Sequence, residues 1–267
     1  MAGLFGMFDP TRDGPGVSKN GPKKKRFFLF FEIYFRKFTK IILLNLLYVA
    51  FCIPIITIGP ATAGMTYCMR NFAREDHADI SDFFDQFKKN FWSSVLVWFS
   101  HLIGFVIIIF SIIFYDALFK QGKVLGIFGL VTSIVALVTF LFMSYYSYAL
   151  IVTFKLSLKQ YVKDSFAFAV VGLGRNIITT IILAIIYGWF FIYAVYPVVL
   201  PLFNPDAPVF LEAVCLALAM YLFFIPSLSS FIVNFNVYPS IKKYMIDPTL
   251  EKEQNDDVEE AVFEDVE

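Results

Sequence analysis

The polar residues of this chain that could do chemistry are few, and two candidates lie inside its long apolar stretches. One is His101, and the other is the small-residue segment made of Gly59, Pro60, Ala61, Thr62, Ala63 and Gly64. A helix that begins at Gly59-Pro60 would expose backbone N–H groups and the positive end of its dipole, which could hold an anion or a substrate hydroxyl. The same small residues also permit close helix packing. The segment is therefore a candidate for ligand binding or for packing alone.

Signatures of catalysis and of cofactor binding are missing from the sequence. It holds no nucleotide P-loop, no HExxH, no GxSxG and no pair of carboxylates within the apolar stretches. Cys52, Cys68 and Cys215 form no CxxC pair, and the chain has only two histidines. His101 is open to two interpretations, a proton relay or a packed and hydrogen-bonded side chain. We predict no catalytic residue, no cofactor and no metal, and hence no enzyme.

The elements that must position these residues are membrane helices. Stretches without Asp, Glu, Lys or Arg cover 41–69, 90–115, 124–154, 176–205 and 213–241. About 20 apolar residues in a helix cross a bilayer core of roughly 30 Å. Hydrophobic residues make up 58% of the chain and charged residues 16%, whereas soluble domains have about 45–50% and about 25%. The sequence predicts an all-α, polytopic transmembrane helix bundle.

The basic residues suggest how often the chain crosses. They cluster after the first, third and last stretches, as is typical of cytoplasmic loops. If the N-terminus is also in the cytoplasm, the chain must cross the membrane an even number of times. Gly59-Pro60 divides the first stretch, because Pro ends or starts a helix. We expect about six spans, the second of them short or re-entrant, and both termini in the cytoplasm. The spans are about 40–58, 60–75, 93–115, 124–153, 177–201 and 209–237.

The charge distribution separates a membrane domain from a tail. Acidic residues dominate from Asp247 to the end, where Lys252 is the single base, and bases exceed acids in the rest. We expect a flexible cytoplasmic N-terminus at 1–25, a transmembrane helical domain at 26–245 and an acidic, disordered cytoplasmic tail at 246–267. The basic excess indicates contact with the lipid bilayer and not with nucleic acid.

Two connectors between spans have apolar residues at the spacing of amphipathic helices. The basic and aromatic segment 23–38 predicts an interfacial helix. The connectors expose candidate residues for docking a partner. On the first connector these are Phe83, Phe87, Lys88, Lys89 and Asn90. On and after the second they are Lys159, Lys163, Arg175 and Asn176.

A weak internal repeat begins at Lys89-Asn90 and at Arg175-Asn176. In both places a base and Asn precede two apolar, two hydroxyl and two apolar residues. Asn as a helix N-cap explains the match structurally, and a duplicated half-bundle is the alternative.

Polar residues inside the later spans predict packing features. We expect Asn45, Asn234 and Asn236 to form hydrogen bonds across helices. Pro226, followed by Ser227, Ser229 and Ser230, should break the last span.

Three segments carry a resemblance to a known family. They are Leu4-Phe5-Gly6, then Asn45-Leu46-Leu47 through Pro54-Ile55-Ile56-Thr57-Ile58-Gly59-Pro60-Ala61-Thr62-Ala63-Gly64-Met65, and Phe84-Asp85-Gln86-Phe87-Lys88-Lys89-Asn90-Phe91. The chain resembles, over roughly residues 1–245, the YesL-like family of small bacterial integral membrane proteins, whose function is not established. The resemblance implies a bacterial cell membrane and, by genomic association only, carbohydrate uptake alongside ABC-transporter subunits. It supplies no catalytic residues.

Three functions remain open at this point. The first is a non-catalytic accessory protein associated with carbohydrate uptake. The second is a small-solute transporter or channel in its own right. The third is a membrane sensor or regulator that acts through the acidic tail. The sequence leaves the ligand, the partner and the oligomeric state open.

Overall fold

The computed structural model describes residues 25–154, 156–196, 199–200 and 211–249. The described residues form helices and no strand. The helices are α1 (Arg26–Arg36), α2 (Phe38–Phe51), α3 (Ile58–Ala73), α4 (Ile80–Lys89), α5 (Phe91–Lys120), α6 (Val124–Thr153), α7 (Leu158–Val171), α8 (Leu173–Phe190), α9 (Leu211–Phe223) and α10 (Ile225–Ile241). A 3-10 turn, Ile55–Thr57, precedes α3, and π-helical turns follow α8 at Phe191–Val195 and α10 at Lys242–Ile246. The predicted N-terminal segment before residue 25 and the tail from 250 lie outside the described residues.

The predicted membrane helix bundle is confirmed. Within the described part of the chain, three helices are long and apolar enough to cross a membrane: Phe91–Lys120, Val124–Thr153 and Leu173–Val195. A fourth span results if the bent pair Leu211–Phe223 and Ile225–Thr249 counts as one. The apolar side chains on these helices are largely exposed on the outer surface of the bundle, as expected for contact with lipid.

The predicted end of the first span, 40–58, was wrong. Helix α2 stops at Phe51 after 14 residues, which is about 21 Å at 1.5 Å per residue and shorter than a bilayer core of roughly 30 Å. The chain then turns before α3, and the Thr57 hydroxyl donates to the Phe51 and Pro54 carbonyl oxygens. The bond to Phe51 satisfies a carbonyl that the helix end leaves without an intrahelical partner.

Helix α3 lies at the centre of the bundle, against α2, α4, α5, α6 and α10. Most of its residues are buried. A methyl group at Gly59 would lie 2.4 Å from the Ser94 carbonyl oxygen of α5, and one at Gly64 would lie 2.7 Å from the Phe83 carbonyl oxygen of α4. The two glycines therefore let α3 approach two neighbouring backbones more closely than any other residue would allow.

The last membrane span is broken, as predicted. Helices α9 and α10 meet at an angle of 48°, and Pro226 stands in the first turn of α10, where its missing N–H costs no hydrogen bond. The predicted cross-helix hydrogen bonds are confirmed for Asn45, which joins α2 to both sides of the break, and for Asn236, which donates to Thr179 Oγ1 on α8. Asn234 is an exception, because its amide nitrogen donates to the Ser230 carbonyl of its own helix.

The three amphipathic elements pack differently. Helix α4 starts with a capping box between Asp79 and Asp82 and places its apolar face under α3. Helix α1 buries Ile33 and Tyr34 and leaves its aromatic side outside: Phe27, Phe28, Phe31 and Phe35. Helix α7 buries Tyr161, Ser165, Phe168 and Ala169 and exposes a second apolar face: Leu158, Val162, Phe166, Val170 and Val171. Exposed aromatic and aliphatic faces of this kind suit the membrane interface.

Candidate solute-binding cavity

A cavity of about 410 Å³ lies in the middle of the bundle. Side chains from α2, α3, α5, α6, α8, α9 and α10 line it, so no single segment of the sequence builds it. On α5 the lining residues are Trp98, His101 and Phe105, which helical periodicity places on one face. We refer to this space as the central cavity.

The central cavity is lined by aromatic rings and uncharged polar groups. Its lining side chains include no Asp, Glu, Lys or Arg among the described residues. The tyrosines are Tyr48, Tyr145, Tyr148, Tyr187 and Tyr221, and the small polar residues are Thr62, Thr66, Ser144, Ser229, Ser230 and Asn234. Burial of an ion requires a paired charge, whereas an uncharged polar molecule needs only hydrogen bonds. The lining therefore suits an uncharged polar ligand.

Two buried polar atoms of α10 have no hydrogen-bond partner among the described residues. They are Ser229 Oγ and Asn234 Oδ1, in residues whose exposed fractions are 8% and 2%. Both residues line the central cavity. A buried polar atom left without a partner costs about 1–3 kcal/mol, and a bound water or ion is one way in which native proteins satisfy such an atom. Ser229 can donate or accept, while Asn234 Oδ1 can only accept a hydrogen bond.

The predicted Gly59–Gly64 segment contributes to the cavity through one residue. Thr62 lines the cavity; its hydroxyl donates to the Ile58 carbonyl oxygen at 2.7 Å and lies 3.4 Å from the Tyr48 hydroxyl. The other residues named for this segment are buried and do not line the cavity: Gly59, Pro60, Ala61, Ala63 and Gly64. Thr66, one turn further along α3, also lines the cavity. The threonines of this helix therefore face the cavity, whereas its small residues pack against neighbouring helices.

His101 lines the central cavity and is within hydrogen-bond distance of two hydroxyl groups. Its Nε2 atom is 3.0 Å from Ser147 Oγ and 3.3 Å from the Tyr161 hydroxyl. Edge-on rings of Phe140 and Tyr148 flank the imidazole. These contacts connect the cavity to α7, because Tyr161 belongs to that helix. Over the part of the chain that the structure describes, no group of three or more His, Cys, Asp or Glu side chains could hold a metal ion.

The first set of predicted docking residues needs a correction. Phe83 is fully buried, and Phe83 and Phe87 pack toward the bundle, because α4 turns its apolar face to α3. Lys88 and Lys89 are exposed, so a partner could reach these two of the predicted docking residues on α4. Asn90 precedes α5, and its amide nitrogen donates to Gln86 Oε1 at 2.9 Å.

The second set divides in the same way. Lys159 and Lys163 are exposed on α7. Arg175 donates to Ser240 Oγ at 2.8 Å. Asn176 is fully buried; it accepts from the Tyr146 hydroxyl and donates to the Ala169 carbonyl oxygen. It therefore cannot dock a partner.

The N-cap interpretation of the internal repeat was wrong for Asn176. Helix α8 begins at Leu173, so Asn176 lies inside its first turn. Asn90 stands before the first residue of α5 and makes no capping hydrogen bond through its side chain. The two asparagines therefore occupy different structural positions. What the two regions share is a short amphipathic helix followed directly by a long apolar one.

Most residues of the central cavity had no signal in the sequence. The tyrosines and Trp98 stand singly in apolar stretches, where an aromatic residue is as often a lipid contact as a binding residue. Ser229 and Ser230 were noted only as part of the helix break. Tyrosine hydroxyls within predicted spans were the one available clue, because such groups need a polar partner inside the membrane.

Comparison with known proteins gives a family match over the N-terminal part of the chain, which supplies some of the residues that line the central cavity. Residues 41–112 match the family described as "Protein of unknown function, DUF624". This is the YesL-like family that the sequence resembles. The DUF624 match runs from α2 to α5, and the cavity-lining residues within it are Tyr48, Ile58, Thr62, Met65, Thr66, Trp98, His101 and Phe105. No curated protein and no solved structure matches the chain.

Proposed function

We propose that this chain is a non-catalytic membrane protein of carbohydrate uptake, which binds an uncharged, hydroxyl-rich solute in the central cavity. The observation that carries the proposal is the lining itself: aromatic rings and neutral polar groups surround two unpartnered atoms, Ser229 Oγ and Asn234 Oδ1. In a bacterial cell membrane with both termini in the cytoplasm, such a protein would receive its solute within the bilayer.

Sugars fit this lining better than charged solutes do. Each sugar hydroxyl can donate to Asn234 Oδ1 or exchange hydrogen bonds with Ser229. The C–H faces of a pyranose ring pack on aromatic side chains such as Trp98 and Tyr148. The volume of about 410 Å³ falls in the range of about 300–1,000 Å³ usual for small-molecule sites. Amino acids, phosphates and metal ions would need counter-charges that the lining does not offer.

Ligand binding is the direct test. Trp98 lines the cavity, so a variant in which Trp92 and Trp189 are replaced by Phe reports on the cavity by fluorescence. The protein in lipid nanodiscs is titrated with glucose, maltose and inositol, and with glutamate, lysine and inorganic phosphate. We expect at least one uncharged solute, and none of the charged ones, to change the fluorescence.

A pair of asparagine variants links that signal to the cavity. Asn234→Leu removes the unpartnered acceptor and should abolish binding. Asn236→Leu, two residues along α10, loses only a bond to Thr179 outside the cavity lining and should retain it. Binding of charged solutes alone, or equal binding by the Asn234→Leu variant, would refute the proposal.

The accessory role requires a partner, and carbohydrate ABC-transporter subunits are the proposed one. The exposed lysines of α4 and α7, Lys88, Lys89, Lys159 and Lys163, are accessible to an amine-reactive crosslinker. In native membranes of sugar-grown cells we expect crosslinks from these lysines to a transporter subunit, identified by mass spectrometry. Self-crosslinks alone would contradict the accessory role while leaving the binding assay unaffected.

A transporter in its own right is the second candidate, and one observation favours it. The central cavity lies between two interrupted helices, since Ile58 at the start of α3 and Pro226 at the α9–α10 break both line it. Transporters commonly bind substrate between discontinuous helices near the middle of the bilayer. Flux of the bound solute into liposomes that hold this protein alone would establish the transporter role. Binding without flux would leave the accessory role.

A regulator that acts through the acidic tail is the remaining alternative. It predicts that deletion of residues 247–267 abolishes the cellular phenotype while solute binding and stability of the bundle are unchanged.

A further inference from the structure

A second polar cavity, of about 230 Å³, lies where α7 meets α8 beside the end of α10. Gly172, Gly174, Arg175, Ser240, Lys243 and Tyr244 are among the residues that line it. We call it the basic cleft. A methyl group at Gly174 would meet no atom within 4 Å, so the space above this backbone is open to a ligand.

Three cationic side chains gather around the basic cleft. Arg175 donates to Ser240 Oγ at 2.8 Å, and Lys243 Nζ lies 5.2 Å from the centre of the Tyr244 ring. Arg26 donates to the Phe235 carbonyl oxygen on the same helix, α10. Burial and the nearby positive charge of Arg175 both lower the pKa of Arg26. Arg26 and Arg175 therefore repel each other at this end of α10.

The ion pairs found between described residues do not include these three cations. Those ion pairs join Glu75, Asp79, Asp76 and Asp116 to Arg36, Lys40, Arg74 and Lys120. An anion in the basic cleft would relieve the repulsion and could accept hydrogen bonds from a guanidinium, an ammonium and a hydroxyl. Phosphate oxygens match that set of donors.

An apolar groove flanks the same α7–α8 junction. It has a volume of about 350 Å³ and is lined by Ile134, Val138 and Phe142 of α6 together with Ala169, Val170 and Leu173 of the junction. Val170, Val171 and Leu173 are more than half exposed. At this junction, the charged part of an amphipathic ligand could bind in the basic cleft and its apolar part in the groove.

We infer that the α7–α8 junction binds an anionic phospholipid, with the headgroup phosphate in the basic cleft and an acyl chain in the apolar groove. The groove favours a lipid over free phosphate, because only a lipid has an apolar part that can pack in it. The exposed aromatic face of α1, next to Arg26, supports a position at headgroup level, where aromatic side chains are enriched in membrane proteins. Basic pockets between membrane helices are a known mode of headgroup binding. This site is separate from the central cavity.

Native mass spectrometry of the protein in mixed micelles tests the inference. The probes are palmitoyl-oleoyl phosphatidylglycerol and palmitoyl-oleoyl phosphatidylcholine at equal concentration. We expect the wild-type chain to retain phosphatidylglycerol preferentially. The variant Arg175→Gln/Lys243→Gln should lose that preference about tenfold or more, since each surface cation contributes about 1 kcal/mol to anionic lipid binding. Lys243→Gln alone, at an exposed position, gives a smaller loss without disturbing the Arg175–Ser240 bond.

A matched control uses Lys159→Gln/Lys163→Gln, which removes two exposed charges of α7 that do not line the cleft. It should retain the wild-type preference. Equal losses in the cleft and control variants would mean diffuse electrostatic attraction and would overturn the inference. So would complete competition by inorganic phosphate, which would indicate a soluble anion. Lipid retention that appears only after truncation at Thr249 would assign the cleft to the acidic tail instead.

Discussion

The side chain of Asn45 holds the two halves of the broken last span together. Its Oδ1 accepts from the Ser227 backbone N–H at 2.6 Å, and its Nδ2 donates to the carbonyl oxygens of Tyr221 and Leu222. The first group belongs to the start of α10, and the other two belong to the last turn of α9. A single buried amide thus satisfies backbone groups that the break leaves without helical partners.

Replacement of Asn45 by Leu should therefore destabilise the bundle by about 3 kcal/mol or more. The substitution leaves one N–H and two carbonyls without that partner, and each buried unsatisfied group costs about 1–3 kcal/mol. Denaturant unfolding in mixed micelles measures the change. Asn236→Leu, which loses a single bond to Thr179, is the comparison and should cost about 1 kcal/mol. Equal losses in the two variants would show that Asn45 does not support the break.

Gly59 and Gly64 should tolerate no side chain. Gly59→Ala would drive a methyl group into the Ser94 carbonyl, at 2.4 Å, and the backbones of α3 and α5 would have to separate. Overpacking of this kind costs about 1–3 kcal/mol. Gly188→Ala is the control, because a methyl group there meets no neighbouring atom, and Ala is the better helix former by about 1 kcal/mol. Opposite signs in thermal unfolding are expected; a neutral Gly59→Ala variant would contradict the packing.

The sequence predicted the architecture well because apolar stretches and prolines have local causes. The broken span at Pro226 and the amphipathic α4 followed from residue types alone. The end of α2 at Phe51 did not, since no Gly or Pro marks that position; the first proline follows at Pro54. The helix end depends instead on tertiary packing and on hydrogen bonds from Thr57.

The central cavity could not be predicted because its residues come from seven helices. Whether Tyr148 faces lipid or the interior depends on the rotation of α6 in the bundle, which helical periodicity alone does not define in a uniformly apolar stretch. The same ambiguity placed Phe83 on a docking surface, whereas the structure buries it under α3. Asn176 shows the complementary error, a local N-cap rule applied to a residue whose partners are Tyr146 and Ala169.

The start of α4 should respond to acid through Asp79. The hydrogen bond from Lys40 and its positive charge lower the pKa of Asp79 from its ordinary value of 3.8. A lowered pKa means that the stabilisation is complete above the ordinary value and is lost as pH falls through the lowered one. Lys40→Gln should raise the pKa of Asp79, as measured by carbon-detected NMR titration of the carboxylate. Lys88→Gln, an exposed change on the same helix, should leave it unchanged; an equal shift in both variants would exclude the specific pair.

Ser229 should be more important for binding than for folding. Ser229 lines the central cavity, and its buried hydroxyl has no partner among the described residues, so Ser229→Ala removes an unsatisfied group and should leave the stability unchanged or raise it. The same change should weaken solute binding by about threefold to tenfold, the loss expected for one neutral hydrogen bond of about 0.5–1.5 kcal/mol. Ser227→Ala is the control, because the Ser227 hydroxyl donates to the Phe224 carbonyl and does not line the cavity; it should lower stability slightly and leave affinity unchanged. Titration of the solute found in the binding assay, paired with unfolding of each variant, separates the two effects. A Ser229→Ala variant that loses stability but binds as the wild type does would assign Ser229 to packing and remove it from the site.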